Sequence, residues 1–379
     1  MNAKAALRLI EKKIKCSYLM PAELRLNKWL KREFLPTGRA AFCIETSSAC
    51  NLKCRFCAYE KKRSPRVSMP DGMFRDCVEQ ALQLGFREFG LTPTTGDVFM
   101  DKNVFNKFRF LDSHPQVQAY HFFTNFTVVD AKKVRELVTV KKLSSLVISI
   151  YGHDEKSFVE IAKSSPKIYR RLLSNLETLI SLKDSWPFSL AIGWRSTFDV
   201  PKTSSSDLMI LVDRLRALGV SVNPSHGLYN NWGGMITEDD VAGLNIKIWD
   251  DDTLPKLGPC AKLFDGFQVM ATGVVNGCSC RDVDATLQIG NVATTPLKDI
   301  LSRKNELYME LIQEQEQGFF RPVCRNCDFY RSVYHQPTAY RKKDGPRPQS
   351  TARFLDGLEV RDQGITAAPD TPASPRPAA

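Results

Sequence analysis

The sequence predicts an α/β fold: a partial (β/α)6 barrel followed by a small C-terminal α+β unit. Two observations carry that prediction. Short apolar runs alternate with longer amphipathic segments from residue 41 to about 223, which implies parallel strands joined by right-handed helical crossovers. A second strand-and-helix unit then begins near residue 260, after a bridge rich in aromatic residues and glycine.

The strands are expected at 41–46, 87–92, 118–124, 145–150, 188–196 and 219–223, where β-branched and aromatic residues concentrate. Helices are expected at 71–85, 101–112, 130–139, 155–181 and 205–217, from apolar positions at helical spacing. Six such pairs fall short of the eight that close a barrel. Residues 1–40 form a basic, helix-compatible extension with apolar Ala6, Leu7, Ile10 and Ile14, and 41–235 hold the barrel. Residues 236–259 are the bridge and 260–341 the second unit, with a strand at 267–275, a turn at Asn276-Gly277 and a helix at 297–315. Residues 342–379 hold six prolines and almost no apolar periodicity, and are expected to be disordered.

Composition narrows the class. Hydrophobic residues make up 43% and charged residues 25% of the 379, as in an ordinary globular protein. No run approaches the ~18 apolar residues of a membrane span, so none is expected. The charged N-terminus lacks the apolar core of a secretory signal, which makes the cytoplasm the expected location. The net charge of +11 is uneven: residues 1–66 carry 16 Lys/Arg against 5 Asp/Glu, and the remainder balances. That bias suits an anionic substrate, an acidic leader peptide, nucleic acid, a membrane surface or a solvated helix alike. Base-stacking motifs and zinc-finger spacing are missing, so no nucleic-acid partner is expected.

Eleven cysteines in a reducing compartment point to metal rather than disulfides, since eight of them fall in two clusters. Cys50, Cys54 and Cys57 form a C-x3-C-x2-C loop directly after the first expected strand. Thiolates are soft ligands for iron–sulfur clusters and zinc. A structural zinc would take a fourth ligand, yet the first histidine of the chain is His114. Three thiols suit one face of a cubane instead, leaving an iron open. The second cluster comprises Cys260, Cys278, Cys280, Cys324 and Cys327, and its spacing alone permits either zinc or iron–sulfur. In an extended 278–280 segment both thiols share a face, so Cys280 is an alternative ligand to Cys278, a spare thiol or a packed one.

The first loop, with aromatic Phe56 between its last two cysteines, resembles that of the radical S-adenosylmethionine (SAM) superfamily. The second region resembles the twitch domain of those enzymes, a shortened relative of the SPASM domain, through Cys260, Gly273-x4-Cys278, Asp282, Ile289-Gly290-Asn291-Val292 and Cys324-Arg325-Asn326-Cys327. The resemblance implies a [4Fe–4S] cluster on Cys50, Cys54 and Cys57 whose open iron binds SAM. It also implies one auxiliary [4Fe–4S] cluster on Cys260, Cys278, Cys324 and Cys327, and an electron donor such as flavodoxin or ferredoxin. The implied chemistry is reductive cleavage of SAM to a 5′-deoxyadenosyl radical that abstracts hydrogen from substrate, an oxidoreductase-type reaction. A small polar or carbohydrate-type substrate is expected, with peptide modification as the alternative.

Supporting positions lie at strand ends, the edge where β/α barrels place chemistry. Thr95-Gly96-Asp97 stands where the family carries Gly-Gly-Glu, so Gly96 would allow close approach and Asp97 would accept from the SAM ammonium, or else cap the next helix. Asn125 in the Thr124-Asn125 pair and Ser149 at the fourth strand's end match family positions. Arg195 on the fifth strand matches a residue that meets the SAM carboxylate, which a guanidinium can hold by two bonds. Phe56, Gly96, Asp97, Asn125, Ser149 and Arg195 are thus the expected SAM contacts.

Overall fold

A computed structural model describes residues 18–35, 41–201, 205–249, 255–336 and 348–359. The chain begins with helix α1 (Met20–Trp29). It continues through β1 (Phe42–Ile44), α2 (Asp71–Gln83), β2 (Glu88–Gly90), α3 (Val104–Ser113), β3 (Ala119–Thr124), α4 (Ala131–Leu137) and β4 (Leu143–Tyr151). Then come α5 (Glu155–Ala162), α6 (Pro166–Ser181), β5 (Ser189–Ser196), α7 (Asp207–Ala217), β6 (Ser221–His226), β7 (Leu228–Asn230) and β8 (Lys247–Trp249). The C-terminal part adds α8 (Lys262–Asp265), β9 (Gln268–Val269), β10 (Val274–Asn276), β11 (Gln288–Asn291), α9 (Leu297–Ile300), α10 (Glu306–Glu316), α11 (Pro322–Arg325) and α12 (Thr351–Glu359).

All six expected barrel strands are present, and β1 to β6 pair in parallel and in chain order. Consecutive right-handed crossovers put their helices over one face of such a sheet. That face is closed: Phe122, Leu146, Ile148, Ile150 and Ile192 are buried. Below β3 the ring of Phe108 stacks on Tyr120 and Phe122 at 5.4 and 5.2 Å, anchoring α3. Burying each such ring stabilises the fold by about 1.5–3 kcal/mol. The opposite face alternates with it and is only half-buried, presenting His121, Phe123, Val147, Ser149, Tyr151, Gly193 and Arg195. A sheet sealed on one side and accessible on the other is ready to hold a ligand on the second.

Three expectations are corrected. The reversal in the C-terminal unit is not at Asn276-Gly277. Gly273, at φ +88, closes a turn by donating from its N–H to Met270 O, so 267–275 divides into β9 and β10. The helix expected over 155–181 is two, because Lys163 adopts φ +43 and Pro166 restarts the chain as α6; 297–315 likewise divides into α9 and α10. The tail is ordered over 348–359. Gln349 bridges Phe34, Phe354 packs edge-on against Phe264 at 5.4 Å, and Leu355 and Leu358 are buried. Residues 1–17, 36–40, 342–347 and 360–379, the rest of the expected extension and tail, lie outside the described residues.

The C-terminal strands join the main sheet. β9 pairs in parallel with β1, β10 and β11 follow antiparallel, and the order becomes β11-β10-β9-β1-β2-β3-β4-β5-β6. β7, just after β6, forms a separate parallel pair with β8 of the bridge.

Candidate active site

The three-thiol loop leaves the carboxyl end of β1 and is held from every side. Lys53 and Arg55 donate their backbone N–H groups to Ala162 and Ile161, past the end of the half-buried face. The Trp232 indole, in the segment after β7, donates to Phe56 O at 2.9 Å. Asp284 of the C-terminal unit accepts from the Arg63 and Ser64 amides, both at 2.9 Å. Phe56 is buried against Tyr229 and Tyr151, with ring centroids 4.6 and 5.3 Å away. Burial pushes the Cys50 and Cys57 thiols up to about 12 and about 11; the carboxylate of Asp97 adds to the first, while the Tyr59 amide and then Arg195 oppose the second. Binding a metal group there releases those protons, since thiolate is the ligand.

Asn125, Arg195 and Gly96 of the expected contact residues border this loop. Asn125 donates from Nδ2 to Cys50 Sγ at 3.7 Å and to Asn51 Oδ1 at 3.0 Å, while its own Oδ1 accepts from Thr127. The Arg195 guanidinium sits 5.7 Å from the Phe56 ring centroid and pairs with no carboxylate among the described residues. Ser149 lies on the same accessible face of β4, across from Gly193 of β5. Gly96 packs on the loop itself. A Cβ there would come within 2.8 Å of Ser47 O and 3.0 Å of Ala49 O, and its φ is +139. Gly96→Ala should therefore lower the melting temperature and loosen the loop, costing about 1–3 kcal/mol of steric and backbone strain; thermal unfolding of the two proteins measures it.

Asp97 takes the cap role. Its Oδ1 accepts from the Phe99 amide at 3.0 Å, and its Oδ2 accepts from Thr124 Oγ1 at 2.9 Å and the Asn125 amide at 2.7 Å. The side chain is buried, and burial raises its carboxyl to about 6 against the pull of these donors. With three protein donors, Asp97 acts on the site through Thr124 and Asn125 rather than by facing outward.

Five thiols, Cys260, Cys278, Cys280, Cys324 and Cys327, line one pocket with Lys262 and Arg281. The Cys324 sulfur accepts from Gln315 Nε2 at 3.4 Å, Cys327 from the Phe329 amide at 3.3 Å and Cys278 from the Cys280 amide at 3.4 Å. Such N–H donors stabilise sulfur as thiolate and tune a bound cluster. Cys280 is pulled down by its hydrogen bond with Cys278, and then by Lys262 and Arg281, while Cys278 is pushed up by the same bond. Asp282 shapes the loop by accepting from Thr286 and Leu287. Among the described residues no three His, Cys, Asp or Glu converge around a single ion. Both donor sets are purely thiol, without imidazole, and that chemistry fits iron–sulfur groups.

Sequence reasoning missed Glu45 and Lys62. Both are buried, at 1% and 5% exposure. Glu45 Oε2 accepts from the Ala271 amide at 3.0 Å, while Oε1 has no hydrogen-bond partner, although the Thr94 amide lies near. Lys62 makes no hydrogen bond or ion pair among the described residues; burial lowers its ammonium, opposed by Glu45 and Asp284. The only signal in the sequence was a carboxylate in the place of an apolar residue at the end of an apolar strand.

Residues 260–328 match the SPASM family, an iron–sulfur cluster-binding domain. Among solved structures, SuiB of Streptococcus suis bound to S-adenosylmethionine aligns at a TM-score of 0.51 and 15% identity, covering 86% of this chain and 78% of that one. SuiB bound to the precursor peptide SuiA aligns at 0.50 and 14%, covering 90% and 79%. BtrN in complex with AdoMet and 2-DOIA aligns at 0.48 and 15%, covering 78% and 94%. No curated protein is significantly similar in sequence. The chain therefore shares the fold of SuiB, and its residues 260–328 match the SPASM iron–sulfur cluster-binding domain.

Proposed function

We propose that the protein binds SAM on a [4Fe–4S] cluster held by Cys50, Cys54 and Cys57 and uses it to oxidise a small polar substrate of carbohydrate type. The observation that carries this reading is a three-thiol loop after β1 whose Phe56 meets Tyr151 and Arg195 of the accessible sheet face, the latter without a carboxylate partner among the described residues. Cys50, Cys54 and Cys57 would hold the cluster that, when bound, would supply the electron for breaking the sulfonium bond, and Cys260, Cys278, Cys324 and Cys327 would hold one able to accept an electron from substrate. The chain's own residues bind and orient. Arg195 holds the SAM carboxylate, Ser149 and the Gly96 backbone line the cofactor, and Asn125 fixes Cys50. Phe56, wedged between Tyr151 and Tyr229, keeps water from the loop.

Glu45 and Lys62 support a polar substrate. Glu45 Oε1, buried without a hydrogen-bond partner, and the Lys62 ammonium, which has no ion pair or hydrogen bond among the described residues, offer polar groups that a hydroxylated molecule would satisfy. Peptide modification is the second reading, favoured by the shared fold of SuiB in its complex with a precursor peptide.

The test is anaerobic incubation of reconstituted protein with SAM and dithionite, followed by chromatography for 5′-deoxyadenosine. Product is expected; none, with iron loading verified, defeats the proposal. Arg195→Met is expected to weaken SAM binding by about tenfold or more, as loss of a charge-assisted pair costs roughly 1.5–3 kcal/mol. Equilibrium dialysis with labelled SAM measures it, and unchanged affinity removes Arg195 from the site.

A further inference from the structure

Helix α1 divides its side chains sharply. Leu24 and Asn27 face inward, and Asn27 Nδ2 donates to Tyr334 O at 2.8 Å. The acids of this region also turn inward: Glu23 pairs with His335 at 3.3 Å and accepts from the Gln336 amide, and Glu33 accepts from Thr351. Lys28 pairs with Glu316 at 2.9 Å. What remains outside is apolar or cationic. Tyr18, Leu19, Leu26 and Trp29 are 72%, 63%, 54% and 78% exposed. Arg25, Lys31 and Arg32 are exposed beside them and meet no acid among the described residues.

Leu19, Leu26 and Leu30 recur at helical spacing, so this is one continuous stripe rather than scattered surface residues. Its chemistry selects an occupant. Aromatic rings at the margins, leucines between and only cations around them match a helix that lies in the interface of an anionic bilayer. The stripe is a ridge, whereas a docked peptide helix would need a groove. The preceding residues 1–17 carry five Lys/Arg against one Glu, reinforcing the same sign.

We infer that the protein is a peripheral membrane protein that docks to anionic lipid through the outer face of α1. The active-site mouth is built from other residues, so docking and catalysis are separable. The experiment is co-sedimentation of the full-length protein with sucrose-loaded phosphatidylcholine vesicles, with and without about a third phosphatidylglycerol. Partitioning is expected to be about tenfold or more stronger on the anionic vesicles and to fall with added salt. Leu26→Ser/Trp29→Ser and Arg25→Glu/Lys31→Glu/Arg32→Glu should each lose about tenfold or more of it, with 5′-deoxyadenosine formation retained as the check that they fold. Wild-type protein that stays in the supernatant overturns the inference, as does binding that survives both variants. Two further outcomes overturn it by giving the stripe to another occupant. One is a monomer–dimer equilibrium abolished by Leu26→Ser; the other is capture of a fluorescein-labelled acidic peptide in preference to vesicles.

Discussion

Replacing Cys50, Cys54 and Cys57 together by alanine is expected to abolish 5′-deoxyadenosine formation while leaving the auxiliary site loaded. Wild type should take up about eight irons after anaerobic reconstitution and the triple variant about four. The reasoning is local. The loop is held by hydrogen bonds with Trp232, Asp284 and the backbone carbonyls of Ala162 and Ile161, none of which uses a cysteine side chain, so the fold should survive the substitution. The auxiliary thiols line a cavity of their own, fixed by Gln315, Phe329 and Asp282. Iron analysis with electron paramagnetic resonance of the reduced protein measures both sites separately. A variant that keeps all its iron, or loses both halves, contradicts the assignment.

The second large effect is expected at Asp97. Asp97→Asn removes a buried charge, which by desolvation alone would stabilise the fold. The hydrogen bonds decide otherwise. Both carboxylate oxygens accept, one from Phe99 and the other from Thr124 and Asn125, so an amide NH2 would face a donor whichever way it turned. A buried donor left unsatisfied costs about 1–3 kcal/mol, and the disturbance reaches Cys50 through Asn125. The variant should melt lower and form less 5′-deoxyadenosine. The sign of the pH effect is fixed as well. The folded carboxyl is raised from 3.8 to about 6, so the native state binds the extra proton in that window and wild-type stability falls as pH rises through it. That slope should be absent in Asp97→Asn. Denaturant titrations at pH values spanning the window measure both quantities, and a variant as stable as wild type with the same slope contradicts the argument.

The sequence made the parallel core legible because local patterns dictate it. The β-branched and aromatic runs mark strands, the amphipathic stretches mark helices, and the two thiol groups stand out by spacing. What stayed hidden depends on contacts far apart in the chain. The tail around Phe354 shows its order only once Phe264 is seen to receive it, nearly a hundred residues earlier in the chain. The run 267–275 reads as one strand until Gly273 is seen to reverse it against Val269. Asp97 carried two readings, ammonium acceptor and cap, and only the positions of Thr124 and Asn125 separate them. Glu45 and Lys62 are ordinary residues by type, and their interest lies in burial, with Glu45 Oε1 left without a hydrogen-bond partner.

The parallel seam between β1 and β9, with Cys43 opposite Gln268 and Ile44 opposite Val269, bears on how the molecule comes apart. A hinge between the two halves would let either melt alone. Here severing them would strip hydrogen bonds from two strand edges and bare a sticky template for aggregation. The halves should therefore lose their structure in one cooperative step, and the region from Cys260 onward is unsuited to life as a separate fragment.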